Sequence, residues 1–385
     1  MKTAALEHIY IHVPFCLRKC GYCSFYSDVF DEAKKQKYLH FLQEEIELWQ
    51  QSYILKPKTL YFGGGTPSLL SAEEIDSIIN RFDSSQIEEI TLEVNPVTIT
   101  EKYTEEISKT KINRISLGVQ SFKDDELKLL GRLHDAHQAE NAYRILRRNG
   151  FENISFDLIF GLPNQKKEDL LFTLGKFIDL QPEHISTYCL SLEENVPLYP
   201  LKSQIPADEI VSDFYSLIRK KLLEAGYRQY EISNFAKPGF ESKHNLCYWN
   251  DKSYLGLGPA AAGYLISCHP ERSRRTKKNN ELIRYTNPAN LKEYFQQIET
   301  KKISQNQEEL SCEDHEKEFI FLALRKSEGM DLNKFRNTFQ IDFPEKYKIV
   351  IEKFSKEKLL ETEGDFVRLS SAAYFVSNEI FAEFM

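Results

Sequence analysis

Three cysteines near the N-terminus are spaced as the thiolate ligands of a metal cluster would be. They are Cys16, Cys20 and Cys23, so that three residues separate the first pair and two the second. Cysteine thiolates commonly hold iron–sulfur clusters. Three such ligands leave one iron of a [4Fe–4S] cubane open to a further molecule. The spacing therefore predicts a [4Fe–4S] cluster with one exchangeable iron.

Two other interpretations of the triplet are weaker. Structural zinc usually takes four ligands in paired spacings, and the only imidazole close to the triplet belongs to His12. Three unrelated core cysteines seldom fall within eight residues of each other. The total of seven cysteines is odd and gives no support to a disulfide framework. The remaining four are dispersed, at Cys189, Cys247, Cys268 and Cys312.

A glycine run and four polar residues could meet a ligand of that cluster. In Gly63-Gly64-Gly65-Thr66-Pro67, the glycines let the backbone approach a ligand and point N–H donors at a carboxylate. No Gly-Lys-Ser/Thr follows, so the run is not a P-loop. Carboxylates suit ribose hydroxyls and an ammonium group, and arginine suits a carboxylate. Taken singly, each polar residue could equally be structural; they are Glu93, Gln120, Arg132 and Asp157.

An alternation of strands and helices must position these residues. Apolar, β-branched segments predict six strands, at 9–13, 59–62, 89–94, 114–119, 154–160 and 184–190. The intervening stretches have helical periodicity, most clearly at 38–50 and 139–148. This order predicts parallel βαβ units in an α/β fold, a partial (β/α)6 TIM-like barrel. The chemistry of such barrels lies at the C-terminal ends of the strands.

The chain is predicted to have three parts. Residues 1–230 form the barrel, which ends in a long helix at about 208–225. Residues 231–310 form an irregular, glycine-rich connecting region that includes an exposed basic segment, 272–278. Residues 311–385 form a small α+β domain with three helices, a two-stranded wing and a last helix after Ser370 or Ser371. That pattern is typical of winged-helix modules.

Composition and charge limit the partners. The 385 residues carry a formal net charge of −8, with a pI of about 5.7. The net negative charge therefore gives no reason to expect nucleic acid as a binding partner. No targeting signal and no apolar run long enough for a bilayer are visible. We expect a cytoplasmic protein.

With Tyr10 before the cysteines and Tyr22 between the last two, the triplet resembles the radical SAM superfamily. In that superfamily the amino and carboxylate groups of S-adenosylmethionine chelate the open iron, and the cluster donates one electron to cleave the molecule. Over essentially the whole chain, the sequence is similar to the coproporphyrinogen-dehydrogenase-like branch. The resemblance implies that S-adenosylmethionine is held by Tyr10, Tyr22, Gly64, Gly65, Thr66, Glu93, Gln120, Arg132 and Asp157.

Two functions compete within that branch. The dehydrogenases decarboxylate coproporphyrinogen III by radical chemistry, with a fourth cysteine two residues after the third and a long N-terminal extension. Here Phe25 occupies that position and only fifteen residues precede Cys16. The heme chaperones instead carry a His-Asn-x-x-Tyr-Trp motif, which residues 244–249 match. The resemblance therefore implies a heme chaperone, with oxygen-independent coproporphyrinogen III dehydrogenase as the alternative.

The histidine of this motif is the expected heme ligand. A neutral imidazole is a common axial ligand, which makes His244 the first candidate and Cys247 the second, while Tyr248 and Trp249 offer flat surface beside the macrocycle. The alternative is a histidine that caps a turn beside core aromatics. Because the motif follows the sixth strand and its helix, we expect it near the open end of the barrel. The implied partners are heme, heme-accepting apoproteins and an electron donor. Enzymatic activity stays undecided, and coproporphyrinogen dehydrogenase activity is expected to be absent.

Overall fold

The architecture was obtained as a computed structural model. It describes residues 5–267, 281–303 and 306–385. The predicted basic segment 272–278 and Cys268 lie outside these residues. No helix in the described ranges is both long and apolar enough to cross a membrane.

The strands of the described residues are, in chain order, β1 (Ala5–Val13), β2 (Phe15–Cys16), β3 (Asp28–Val29), β4 (Ile54–Gly64), β5 (Glu89–Val94), β6 (Arg114–Gln120), β7 (Ile154–Phe160), β8 (His184–Cys189), β9 (Arg228–Gln229), β10 (Asn234–Ala236), β11 (Leu255–Leu257), β12 (Ala262–Ser267), β13 (Glu281–Thr286), β14 (Asn306–Glu309), β15 (Met330–Asp331), β16 (Leu360–Glu363) and β17 (Phe366–Leu369). The α-helices are α1 (Glu32–Ser52), α2 (Ala72–Ile79), α3 (Glu101–Ile107), α4 (Asp124–Leu129), α5 (Ala136–Arg148), α6 (Lys167–Leu180), α7 (Asp208–Glu224), α8 (Lys243–Trp249), α9 (Leu291–Glu299), α10 (Cys312–Leu324), α11 (Leu332–Phe339), α12 (Phe343–Lys346), α13 (Lys348–Lys356) and α14 (Ser377–Ala382).

A nine-stranded sheet forms the body of the molecule, in the order β11-β1-β4-β5-β6-β7-β8-β10-β9. Its six central strands, β1, β4, β5, β6, β7 and β8, are parallel neighbours. The predicted partial (β/α)6 barrel is confirmed. It is extended by β11, which pairs with β1 in parallel, and by the antiparallel strands β10 and β9.

The two faces of the barrel strands differ in polarity. Phe156 of β7 packs edge-on against Phe177 of α6 and Tyr143 of α5 on the helix-covered face. The next residue, Asp157, points to the opposite face, because successive side chains alternate along a strand. Polar residues recur at that two-residue spacing along the barrel strands, as in His8, Tyr10 and His12 of β1. The barrel interior is therefore polar and available for chemistry.

The connecting region predicted to be irregular, residues 231–310, contains regular helices and strands, so that this prediction was wrong. The His-Asn-x-x-Tyr-Trp motif lies on α8, whose first turn is capped by the Ser242 side chain. The following residues form β11, which extends the barrel sheet. A seven-residue helix is too short to show a 3.6-residue period, and a three-residue strand gains its stability from pairing with β1.

The C-terminal segment has the predicted α+β organisation. Strands β15, β17 and β16 form a three-stranded sheet beside α10, α11 and α13. The third of the three predicted helices is divided into α12 and α13, because Tyr347 leaves helical geometry at φ −105° and ψ 22°. The last helix begins at Ser377, several residues later than expected.

Candidate functional site

The cysteine loop follows β1 and is fixed by backbone contacts. Cys16 ends β2, and the N–H of Cys23 donates to the carbonyl of Cys20 (3.3 Å). Gly21, between them, donates to Leu130 O (3.0 Å) and accepts from the N–H of Leu198 (2.8 Å). All three cysteine side chains are partly exposed. Three thiols thus line one accessible loop, a donor set that suits an iron–sulfur cluster.

Two neighbouring residues donate hydrogen bonds to the cysteine sulfurs. The Thr66 hydroxyl donates to Cys16 Sγ (3.6 Å), and Arg132 Nη1 donates to Cys20 Sγ (3.5 Å). Burial raises the pKa of the Cys23 thiol. Donors and a guanidinium charge next to the sulfurs stabilise thiolates, and such bonds set the potential of a cluster.

The geometry gives the zinc interpretation no support. His12 Nε2 is 2.9 Å from Tyr26 O, a carbonyl that can only accept, so Nε2 carries the proton. His12 Nδ1 then accepts from the Tyr10 hydroxyl (3.1 Å), and neither nitrogen is free. Across the described ranges, no three His, Cys, Asp or Glu side chains are grouped to hold a single metal ion.

The glycine run packs closely against β1 and the cysteine loop. A Cβ on Gly64 would lie 2.6 Å from His12 Cε1, and one on Gly65 would lie 2.6 Å from Phe15 O. The expected free N–H donors are not present: Gly65 donates to Val13 O (2.8 Å) and Thr66 to Phe15 O (2.7 Å). Glycine is required here because side chains and backbone of the protein fill the space.

Two carboxylates, one on β5 and one on β7, face the barrel interior on either side of β6. Glu93 accepts from the Tyr61 hydroxyl (2.8 Å) and from the N–H of Gly64 (3.2 Å). Burial, reinforced by the charge of Asp157, raises the pKa of Glu93 to about 7. Burial also raises the pKa of Asp157, to about 6, although Ser116 donates to it (3.3 Å). A cationic ligand between the two carboxyl groups would lower the free-energy cost of ionising them.

Arg132 connects the cysteine loop to the end of β6. Its Nη2 donates to Gly118 O (2.7 Å), while its Nε is buried and has no partner among the described residues. Gln120, also at this strand end, is buried and adopts the left-handed region with φ 69°. Tyr22 packs against the apolar cluster that includes Leu130 and Leu198. The structure thus brings these predicted residues to one end of the barrel, with an unused donor available.

His244 lies elsewhere, deep in the barrel. It is 1% exposed, and its Nδ1 and Nε2 are bonded to Thr59 Oγ1 (2.8 Å) and to the Tyr248 hydroxyl (2.7 Å). Burial lowers its pKa to about 3. Its backbone N–H donates to Glu89, the first residue of β5 (3.0 Å). The motif therefore enters at the N-terminal ends of the strands, and the expectation of a place at the open, C-terminal end was wrong.

In this arrangement, His244 presents no free nitrogen to an iron. Its ring packs 5.1 Å from both Tyr61 and Tyr248. Cys247, the second candidate, is also buried, and burial raises its pKa above its usual range. Coordination of iron by either nitrogen of His244 would require the hydrogen bond at that nitrogen to be broken.

The other end of the motif borders a cavity of about 380 Å³. Aromatic rings dominate its walls, which are contributed by the barrel, α8, the β11–β12 region and α10. The aromatic lining residues are Tyr10, Tyr248, Trp249, Tyr254, Tyr264 and Phe321. Two cations, Lys252 and Arg284, also line it, and Arg284 pairs with Glu318. Tyr10 belongs to this wall and to the set predicted to hold S-adenosylmethionine.

Comparison with known proteins agrees with this geometry. A radical SAM superfamily model matches residues 10–176, and a HemN C-terminal domain model matches residues 310–376. The chain is 34% identical to the heme chaperone HemW of Lactococcus lactis, covering 98% of this chain and 96% of the relative. It is 31% identical to HemW of Bacillus subtilis over 99% of both. The chain belongs to the HemW family of radical SAM proteins.

The fold of this HemW-family chain also matches a solved structure. Coproporphyrinogen III oxidase (HemN) from Escherichia coli, a radical SAM enzyme, superimposes with a TM-score of 0.83 at 21% identity. The match covers 100% of this chain and 90% of the other. At that identity, the likeness establishes the shared fold.

Radical SAM membership implies a [4Fe–4S] cluster and S-adenosylmethionine. When bound, the cluster supplies a low-potential electron to the cofactor. The residues of the barrel end fit this pair. They offer three accessible thiols, two carboxyls with raised pKa values and the Nε of Arg132, which has no partner within the part of the chain that the structure describes.

Sequence reasoning missed three residues that organise the HemW-type site. Tyr61 donates to Glu93 and stacks on Tyr10 with ring centres 6.0 Å apart. His12 holds the Tyr10 hydroxyl. Arg114 is 2% exposed and lies near both barrel carboxylates. The available signal was polar residues at every second position of a strand, which marks a polar inner face.

Proposed function

We propose that this protein is a heme chaperone that binds heme and passes it to target apoproteins. In this proposal, Cys16, Cys20 and Cys23 hold the cluster. The expected S-adenosylmethionine set at the barrel end holds the cofactor, and an electron donor reduces the cluster. The observation that carries the proposal is the aromatic cavity beside the motif helix α8, which shares Tyr10 with the barrel interior.

The cavity has properties that suit a porphyrin. Its volume of about 380 Å³ lies in the usual range for small-molecule sites. Tyr248, Trp249 and Phe321 give flat apolar walls. The guanidinium of Arg284 would bind a propionate through two hydrogen bonds if the propionate replaced Glu318 as its partner. The macrocycle would insert between the rings with its propionate edge toward the cations.

The alternative, coproporphyrinogen III dehydrogenase, is disfavoured by one position. Phe25 stands where the dehydrogenases carry a fourth cysteine, and its side chain is 68% exposed beside the cluster loop. An apolar ring there offers no thiol for chemistry. Reconstituted protein given reductant, S-adenosylmethionine and coproporphyrinogen III should yield no protoporphyrinogen, and sustained turnover would favour the dehydrogenase.

The proposal is tested by hemin titration after anaerobic cluster reconstitution. The wild type should bind hemin, and Ala262→Phe should weaken binding because the added ring occupies the cavity that Ala262 lines. Ala225→Phe, at an exposed position at the end of α7, is the matched control. The cluster absorbance should be unchanged in both variants. A wild type that binds no hemin would disprove the function, and full hemin affinity in Ala262→Phe would exclude this cavity.

A further inference from the structure

A chain of hydrogen bonds inside the barrel connects His8 of β1 to Tyr248 at the cavity. His8 Nδ1 is 3.0 Å from Thr59 Oγ1, which is 2.8 Å from His244 Nδ1. His244 Nε2 is then 2.7 Å from the Tyr248 hydroxyl. His8 is partly exposed, Thr59 and His244 are buried, and Tyr248 lines the cavity. Four polar groups thus connect Tyr248 of the cavity wall to the partly exposed His8 of β1.

The chain allows two hydrogen-bonding directions. When Thr59 donates to His8, the Nδ1–H of His244 donates to Thr59, and Nε2 accepts from the Tyr248 hydroxyl. When His8 donates to Thr59, the Thr59 hydroxyl donates to His244, and the Nε2–H donates to the oxygen of Tyr248. The second direction suits a tyrosine oxygen that has lost its proton.

From this geometry we infer that Tyr248 Oη, and not His244, is the atom that binds heme iron, and that His244 is a positioning residue that holds this oxygen. The inference rests on the proposed function, since it assumes that heme enters the cavity. Tyrosine is an established axial ligand of heme iron. His244 has both nitrogens occupied within the protein, whereas Tyr248 is part of the cavity wall.

The other tyrosines of the cavity are less suited to this role. Tyr10 donates to His12, whose second nitrogen donates to a backbone carbonyl, so a proton released there has no further acceptor. Tyr264 is 5% exposed and donates to Asp251 (3.1 Å). Tyr254 packs edge-on against Tyr248, with ring centres 4.6 Å apart, and forms part of the cavity wall. Among the described cavity tyrosines, Tyr248 is the one whose imidazole partner is linked through a further hydroxyl, that of Thr59, to a second imidazole, that of His8.

The coordination step balances along this chain. Tyr248 Oη donates an electron pair to ferric iron, and its O–H bond breaks. The proton goes to His244 Nε2, the Nδ1 proton of His244 goes to Thr59, and the Thr59 proton goes to His8. The partly exposed His8 releases one proton to solvent, so the protein gains one Fe–O bond and loses one proton. No electron is transferred, and the iron stays ferric.

The test compares Tyr248→Phe with Tyr254→Phe in cluster-reconstituted full-length protein titrated with hemin. Each variant loses one hydroxyl from the same wall. Resonance Raman and EPR spectra of the ferric complex report the ligand, since tyrosinate gives high-spin iron with phenolate vibrations. Wild type and Tyr254→Phe should show this signature. Tyr248→Phe should lose it and bind hemin about tenfold more weakly, or worse.

Two substitutions of His244 separate positioning from coordination. His244→Gln can still bond to the Tyr248 hydroxyl, whereas His244→Ala cannot. Both should keep the phenolate signature, with a larger loss of hemin affinity and a larger shift of the phenolate bands in His244→Ala. The inference would be overturned if Tyr248→Phe kept the wild-type spectrum. It would also be overturned if the wild type showed the spectrum of a histidine ligand and only the His244 variants lost it. Absence of hemin binding by the wild type would instead disprove the proposed function.

Discussion

Gly64 provides a quantitative test of how the cluster loop and the glycine run fit together. It has φ +106°, and a Cβ added there would lie 2.6 Å from Cε1 and 2.7 Å from Nδ1 of His12. The imidazole cannot easily move away, because its two nitrogens are bonded to Tyr10 and Tyr26. Gly64→Ala should therefore destabilise the protein and disturb the predicted cofactor site together.

The expected cost has two parts. Holding a non-glycine residue at positive φ costs about 1–3 kcal/mol, and forcing a methyl group into a packed interior costs about 1–3 kcal/mol more. Gly150→Ala isolates the first part, since Gly150 has φ +88° and no atom within 4 Å of an added Cβ. The difference in unfolding free energy between the two variants should be about 1–3 kcal/mol.

Thermal unfolding of the two variants, followed by circular dichroism, would rank their stabilities. S-adenosylmethionine binding by isothermal titration calorimetry would report the site. Gly64→Ala should unfold at the lower temperature and bind the cofactor more weakly, while Gly150→Ala should bind it normally. Equal unfolding temperatures for the two variants would show that His12 does not constrain this glycine.

Three further predictions concern the same end of the barrel. Replacing any one cluster cysteine by Ala should abolish the [4Fe–4S] absorbance and the EPR signal of the reduced cluster, whereas Cys189→Ala should retain both; a full cluster in all three variants would contradict the assignment. Because the pKa of Glu93 is raised from 4.5 to about 7 in the folded protein, the stability that protonated Glu93 contributes to the apo-protein should be full below pH 4.5 and be lost as pH rises through 7. In denaturant titrations, Glu93→Gln should therefore lose less stability than the wild type as pH rises from 4.5 to above 7. Arg132→Lys should weaken S-adenosylmethionine binding about ten- to a hundredfold in calorimetry, because one charge-assisted hydrogen bond is worth about 1.5–3 kcal/mol. Unchanged affinity would place Arg132 outside the site.

Local features of the chain were predicted well from the sequence. The cysteine spacing is a property of eight consecutive residues, and the barrel strands at 89–94 and 154–160 match β5 and β7 at both ends. Both segments are short, rich in β-branched or aromatic residues and bounded by turn residues, a combination that indicates a strand. The alternation of such strands with helices was sufficient to predict the parallel barrel.

The surroundings of the motif histidine were not predictable in this way. His244 is bonded to Thr59 and Glu89, which are 185 and 155 positions away in the chain. The residue types predicted a heme ligand, whereas the fold buries the imidazole and leaves Tyr248 on the cavity wall.

The sequence by itself determined the chemistry that this chain can carry: three thiols in one loop, carboxylates on two of the barrel strands and a motif with imidazole, phenol and indole groups. Tertiary structure decided which of these groups are free to react. Whether a nitrogen or a hydroxyl is already hydrogen-bonded depends on partners that the fold brings together from distant parts of the chain. Local periodicity contains no information about these partners. The glycine run is a second example. Its composition predicted that another group packs closely against its backbone, but only the folded chain showed that this group is His12 at Gly64 and Phe15 at Gly65.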